Sequence, residues 1–211
     1  MVFPMIDLAV SRWFAVGQVF VLAEQPFLQA VRRLGRDGQI YIIGAMALLI
    51  GLKAFGPKQY KLCRPHKPLF VLLSFALGPF IVVHTLKFLI GRVRPRDLFE
   101  FGGSADFTPV WQFSAACSRS CSFPSGESSA AAAALSLLIF VPAGLRGVAA
   151  LVLTPFLFFI AFNRVLVGAH FLSDIMLGWL FTLSAMILIW RWIEPRAGAI
   201  DRFMTRTSRS Q

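Results

Sequence analysis

Residues Leu69–Ile90 read LFVLLSFALGPFIVVHTLKFLI, an apolar run that meets its first full charge at Lys87, close to its end. A stretch of this length and composition predicts a membrane-spanning helix, because in hydrocarbon each backbone amide must find its partner within the segment. Val148–Val167 and Phe171–Trp190 repeat the pattern, and Gln39–Phe55 and Gly126–Val141 are shorter versions bounded by turn residues. The whole chain agrees: 57% of its 211 residues are hydrophobic and 15% charged, against about a quarter charged in a soluble domain. No Gly/Ser/Pro-rich linker or internal repeat divides it. The expected fold class is therefore all-α, one polytopic transmembrane bundle over residues 1–211, with no signal peptide.

The N-terminal stretch Ile6–Val31 is different. Arg12 and Glu24 interrupt it, Trp13, Phe14 and Phe20 sit among polar neighbours, and Arg32, Arg33 and Arg36 follow it. This predicts an amphipathic helix lying in the interface over residues 1–36, with a sixth span as the alternative. With five spans, the linker Lys53–Lys67, the turn at Arg146 and the tail Arg191–Arg209 share one side and hold eleven Lys and Arg residues. The other side holds Arg32, Arg33, Arg36, Arg92, Arg94, Arg96, Arg119 and Arg164. The positive-inside rule makes the first group cytoplasmic. Much of the net charge of +11 is then a topology signal, and no nucleic-acid partner is expected.

Ionisable residues inside or at the ends of apolar spans are costly and point to function. Following the chain up and down, Lys87, Arg94, Arg164, His170, Asp174 and the turn Pro124-Ser125-Gly126-Glu127 all arrive at the non-cytoplasmic end. Cations beside a helix N-terminus form an anion site. His170 and Asp174 stand at i, i+4 on one helical face, an arrangement that orients a histidine for nucleophilic or acid/base work. Each piece has an ordinary structural explanation: Lys87 snorkelling, Ser125 or Ser122 capping a helix, His170 as an interfacial histidine. Their convergence on one membrane face favours the functional reading.

KFLIGRVRP (Lys87–Pro95) matches K-x6-R-P, PSGE (Pro124–Glu127) nearly matches P-S-G-H, and NRVLVGAHFLSD (Asn163–Asp174) nearly matches S-R-x5-H-x3-D. In these motifs and their spacing the chain resembles the type-2 phosphatidic acid phosphatases, membrane lipid phosphate phosphatases related to vanadium haloperoxidases. The resemblance implies that Lys87, Arg94 and Arg164 clamp the phosphoryl oxygens, with Ser125 and the Gly126 N–H completing the cradle. It also implies that His170 attacks phosphorus, that Asp174 orients it, and that neither metal nor other cofactor is needed. The implied substrate is a phosphorylated membrane lipid, such as undecaprenyl diphosphate, a lipid A phosphate, phosphatidate or phosphatidylglycerol phosphate. Topology and resemblance together predict a multi-pass protein of a bacterial inner membrane with its active face in the periplasm; oligomeric state is left open.

Two positions depart from the motifs. Asn163 replaces Ser and stays polar. Glu127 replaces the histidine to which the family assigns protonation of the leaving alkoxide. Among three cations and a helix start, Glu127 is expected to be largely ionised. Four roles stay open: a general acid whose pKa the dianionic substrate lifts; a bystander to a leaving group that needs little protonation, as in a diphosphate; a substrate-binding group; or a partner of Arg164 or Arg94 that orders the pocket. The loop of residues 96–123 carries Asp97, Glu100, Asp106, Phe99, Phe101, Phe107 and Trp111, and is expected to act as lid and headgroup reader. Within it, Cys117 and Cys121 are candidates for a disulfide in an oxidising compartment, whereas Cys63 is expected to stay reduced. Competing functions are a lipid phosphotransferase using the same histidine, a lipid-binding or transport protein with a degenerate site, and an anionic-lipid anchor. Inverted repeats would mark a transporter, and none is visible; an anchor leaves His170 and Asp174 unexplained.

Overall fold

In the computed structural model, which describes residues 3–55, 63–114, 116–117 and 121–206, no strand is present among the described residues and the chain is a helical bundle. Parts of the linker (Lys58, Lys61), Arg119 in the loop and Arg209 in the tail lie outside the described residues. The helices are α1 (Phe3–Phe14), α2 (Pro26–Phe55), α3 (His66–Phe75), α4 (Val83–Ile90), α5 (Gly126–Ala134), α6 (Arg146–Leu166), α7 (Leu172–Ile193) and α8 (Ala197–Arg206). A π-helical turn, Ala76–Val82, joins α3 to α4 and contains Pro79. The missing proline N–H is accommodated there by widening the helix instead of breaking it. Pro26–Phe55, His66–Asp97, Ala143–Leu166 and Leu172–Met204 are long and apolar enough to cross a membrane, and Gly126–Phe140 is a shorter apolar helix.

The N-terminal expectation needs correction. Ile6–Val31 is not one interfacial helix. The chain turns at Gly17, whose φ of 62° suits glycine, makes a short 3-10 turn over Val21–Glu24, and restarts at Pro26. Proline at a first helical position is preset for the turn and lacks an N–H that would be unpaired there anyway. The resulting α2 has 30 residues, so Arg32, Arg33 and Arg36 lie within a long helix whose far half is the Gln39–Phe55 span. Helix α1 is also more than a surface helix, since Asp7 on it is buried.

Helix α5 is the centre of the bundle, packed against α2, α3, α6 and α7. Its run Ala130–Ala134 is buried throughout; side chains this small let neighbouring backbones approach closely, the usual basis of helix packing in membranes. Gly178 of α7 is part of that fit, because a Cβ there would stand 3.0 Å from Ser129 Oγ and 3.2 Å from the Ser125 carbonyl oxygen. After Ala134 the chain tightens into a 3-10 turn, Leu135–Phe140. Outer faces stay apolar: Phe88, Val148, Leu151, Val152, Ile187 and Leu188 are exposed, as a hydrocarbon surround requires.

A second, smaller core lies at one end. Phe20, Val93, Leu98, Phe101 and Phe171 cluster there, with Leu8, Phe14 and Phe107 against them. It fastens α1 and the loop after α4 over the start of α7, and Arg12 on α1 pairs with Glu100 on the loop. Gly91 begins that loop in the left-handed conformation, and a Cβ there would stand 2.1 Å from the Ser114 carbonyl oxygen, too close to be tolerated. Phe99, Trp111 and Phe113 are left exposed on the same loop.

Candidate active site

Five helix ends meet beneath that small core: the starts of α2, α5 and α7 and the finishes of α4 and α6. From them come the residues picked out by sequence. His170 stands in the turn between α6 and α7, held because the Ala169 and His170 N–H groups both donate to the Arg164 carbonyl, at 3.0 and 3.1 Å. Gly168 makes the turn possible: its φ is 62°, and a Cβ there would strike the Phe20 ring at 2.4 Å.

His170 presents Nδ1 to Asp174, 3.7 Å from Oδ2, with Ser122 Oγ 3.5 Å away. Burial pushes the imidazole down to about 4, and contact with Asp174 opposes that shift without reversing it. At neutral pH the ring is therefore uncharged and carries a free lone pair. Asp174 is fully enclosed by donors. Ser122 donates to Oδ2, the Phe171 N–H donates to the same oxygen at 2.9 Å, and Arg92 Nη1 lies 2.5 Å from Oδ1.

Arg92 is the site residue that sequence reasoning missed. It is 0% exposed and donates four ways: through Nε to the Thr108 carbonyl at 2.9 Å, through Nη1 to Asp174 and to Ser173 Oγ at 2.9 Å, and through Nη2 to Asp7 at 2.8 Å. Its guanidinium also stacks 4.0 Å from the centroid of Phe171. Asp7 completes the network by accepting from the Ser173 N–H at 2.9 Å and the Ser173 hydroxyl at 2.5 Å. One buried cation thus faces two buried carboxylates. Such a group is tolerable only because each charge is paired and hydrogen-bonded. The signal that was available was Asp7, the lone acid of α1.

The three predicted cations do come together. Lys87 Nζ donates to the Cys121 carbonyl and lies in electrostatic range of Asp174, Arg94, Glu127 and Arg164. Arg94 opens the 3-10 turn Pro95–Asp97 and feels Glu127 and Arg32. Arg164 is buried at the end of α6, its Nε 3.1 Å from Glu127 Oε2. Glu127 also meets Arg32 of α2, Nε to Oε1 at 3.5 Å. Ser125 is fully buried, and its hydroxyl accepts the Ser128 N–H at 3.3 Å as the N-cap of α5, with Gly126 following as the first helical residue. Asn163 donates Nδ2 to the Leu28 carbonyl at 2.8 Å and ties α6 to α2. Cys117 and Cys121 are disulfide-bonded, Cα atoms 5.5 Å apart, next to the carbonyl that receives Lys87; Cys63 is free. Among the described residues, no group of three His, Cys, Asp or Glu side chains is arranged to hold a metal ion.

No solved structure matches the chain. The lipid A 4'-phosphatase of Rhizobium leguminosarum is 38% identical over 111 residues, which are 52% of this chain and 48% of that protein. That of Rhizobium etli strain CFN 42 is 40% identical over 117 residues, 52% of this chain and 43% of that protein. The chain thus spans about half the length of the curated relatives it matches. The profile described as PAP2 superfamily matches residues 67–197, an unbroken span that takes in Lys87, Arg94, the turn before α5, Arg164, His170 and Asp174. With that much of the chain and all three motifs inside the match, the protein belongs to the PAP2 superfamily.

Proposed function

We propose that this protein is a membrane lipid phosphatase that works through a phosphohistidine on His170. The observation that carries the reading is a buried, neutral imidazole whose Nδ1 faces Asp174, set among Lys87, Arg94 and Arg164. With Nδ1 turned to the carboxylate, Nε2 is the nitrogen available to phosphorus. Its lone pair forms the N–P bond as the bond to the leaving oxygen breaks and that oxygen keeps the electron pair. Asp174 then balances the positive charge that develops on the ring, and the three cations take up charge on the equatorial phosphoryl oxygens. Positioning and charge neutralisation of this kind supply most of the catalysis in phosphoryl transfer. Water next attacks the phosphohistidine, releases inorganic phosphate and restores the neutral histidine. No step requires a metal.

The similarity to lipid A 4'-phosphatases favours a phosphorylated glycolipid as substrate. Glu127, held between Arg164 and Arg32, orders those two guanidinium groups, and water delivers the proton to the leaving oxygen. The active end faces the periplasm of a bacterial inner membrane, on the charge asymmetry between the loops.

Phosphate release by the detergent-purified protein, measured with chelator on a panel of mono- and diphosphorylated lipids, tests the activity. Release is expected from a lipid A phosphate, and none from the His170→Ala protein; near-normal release by that variant would rule out the phosphohistidine. Orientation is checked by a cysteine at Ser104 on the loop, expected to react with an impermeant maleimide in intact spheroplasts. Reaction only after membrane permeabilisation would place the substrate in the opposite leaflet.

A further inference from the structure

Beside Arg164 lies a cavity of about 300 Å³ whose lining includes Arg32, Arg33 and Arg36 of α2, Arg96 of the loop, Asn163 and Arg164 itself. Among the described residues, no carboxylate lines it. Two of its lining residues, Arg32 and Arg164, pair with Glu127, at 3.5 and 3.1 Å. Among the described residues, the ion pairs of Arg36 and Arg96 are solvent-exposed ones with the adjoining Asp37 and Asp97, at 3.5 and 3.7 Å. Like charges crowded around one hollow repel each other, and a multivalent anion relieves that repulsion while accepting paired N–H donors.

Helical spacing gathers the α2 arginines along the open cavity. Arg32 and Arg36 form one i, i+4 row of α2, and Gln29 and Arg33 form the next; all four line the cavity. Arginines serving only to attract an anionic bilayer surface would have no reason to share one hollow with the catalytic-end Arg164. The volume is also ample for more than a single ion, since one water occupies about 30 Å³ of liquid.

We propose that this cavity is a second anion subsite, which receives a further phosphate or carboxylate of a membrane lipid while the scissile phosphate sits among Lys87, Arg94 and Arg164. Arg164 lines the cavity and faces the reacting phosphate, so it couples the two positions. The inference rests on the phosphatase reading for where the first phosphate lies. It narrows the substrate to lipids with at least two anionic groups, or else to a monophosphate lipid bound beside an anionic neighbour.

Binding to the full-length His170→Gln protein, in zwitterionic micelles, reads the subsite without turnover. The probes are a matched pair of acylated disaccharides, one with a phosphate on each ring and one with a single phosphate. The bisphosphate is expected to bind about ten- to a hundredfold more tightly. Arg33→Gln/Arg36→Gln should remove most of that advantage, and Arg33→Lys/Arg36→Lys should keep part of it. If a neighbouring lipid fills the cavity instead, the bisphosphate has no advantage. Added phosphatidylglycerol then tightens monophosphate binding, through the same two arginines. Equal affinities for both probes, unmoved by phosphatidylglycerol and by either double substitution, would overturn the subsite. Should the wild-type protein bind the pair as expected yet release phosphate from neither, the phosphatase reading fails and the subsite stands.

Discussion

The two carboxylates that face the site's cations live in opposite surroundings. Asp174 is 0% exposed and shares Arg92, also 0% exposed, with Asp7 in a buried network covered by Phe171 and Phe107. Glu127 is 21% exposed and bridges Arg164 to Arg32, the latter 49% exposed, at the rim of an open cavity. On one side, charges removed from water are held in a single arrangement because any unpaired member is expensive. On the other, Arg164 is buried at 3% exposure but Arg32 and Glu127 reach water, which screens their pairing and leaves it able to give way to a ligand. The same chemical pairing thus fixes the nucleophile at one edge of the site and leaves the other edge free to receive substrate.

That contrast predicts unequal mutational costs. Arg92→Leu strands two buried carboxylates and should cost about 3–5 kcal/mol of stability, read as a large drop in thermal unfolding temperature in detergent. A negligible drop would mean that the network is wet and the two sides are alike.

The sealed side should also keep His170 neutral in acid. An unfolded histidine titrates near 6.5, and His170 is held down to about 4, so between these values the unfolded chain binds more protons than the folded one. This group's contribution to stability is therefore complete above about pH 6.5 and is lost as pH falls towards 4. The imidazole NMR signal that disappears in His170→Gln should show no titration near 6.5. A midpoint there would show that solvent reaches the ring.

The smallest effect on stability belongs to the open side. Glu127→Gln should cost about 1–3 kcal/mol, less than Arg92→Leu, because Arg164 is buried but the amide oxygen can still accept from it. It should slow phosphate release by less than about tenfold on monoesters and diphosphates alike, because it loosens Arg164 and Arg32 without removing a reacting group. A loss of about 10²–10⁴-fold on monoesters alone would instead make Glu127 the general acid.

Much of this could be read from the chain. Leu69–Ile90, Val148–Val167 and Phe171–Trp190 were legible as spans because hydropathy is a property of consecutive residues. The observed helices extend or trim those limits by only a few residues, apart from the π-helical turn that Pro79 introduces. The gathering of Lys87, Arg94, Arg164, His170 and Asp174 followed from helices alternating in direction, which places every second helix end at one face. Ile6–Val31 misled, since its mixed polarity reads as one amphipathic helix. The break is set by Gly17 and Pro26 and by the burial of Asp7.

What the sequence alone determined is the membrane bundle, the face on which its charges collect, and the spacing of His170 to Asp174 on one helical face. These depend on local periodicity and on chain direction. Tertiary structure alone decided that Arg92 lies between Asp174 and Asp7, that α1 closes over the site, and that Arg32 reaches Glu127 at the edge of an arginine-lined cavity. Arg92 and Asp7 are 85 residues apart, and Ser173 and Asp7 are 166 apart. No local pattern links residues at such separations. Their partners are chosen by the desolvation cost of burying a charge, which leaves each buried charge only the arrangement in which every other member of the network is satisfied.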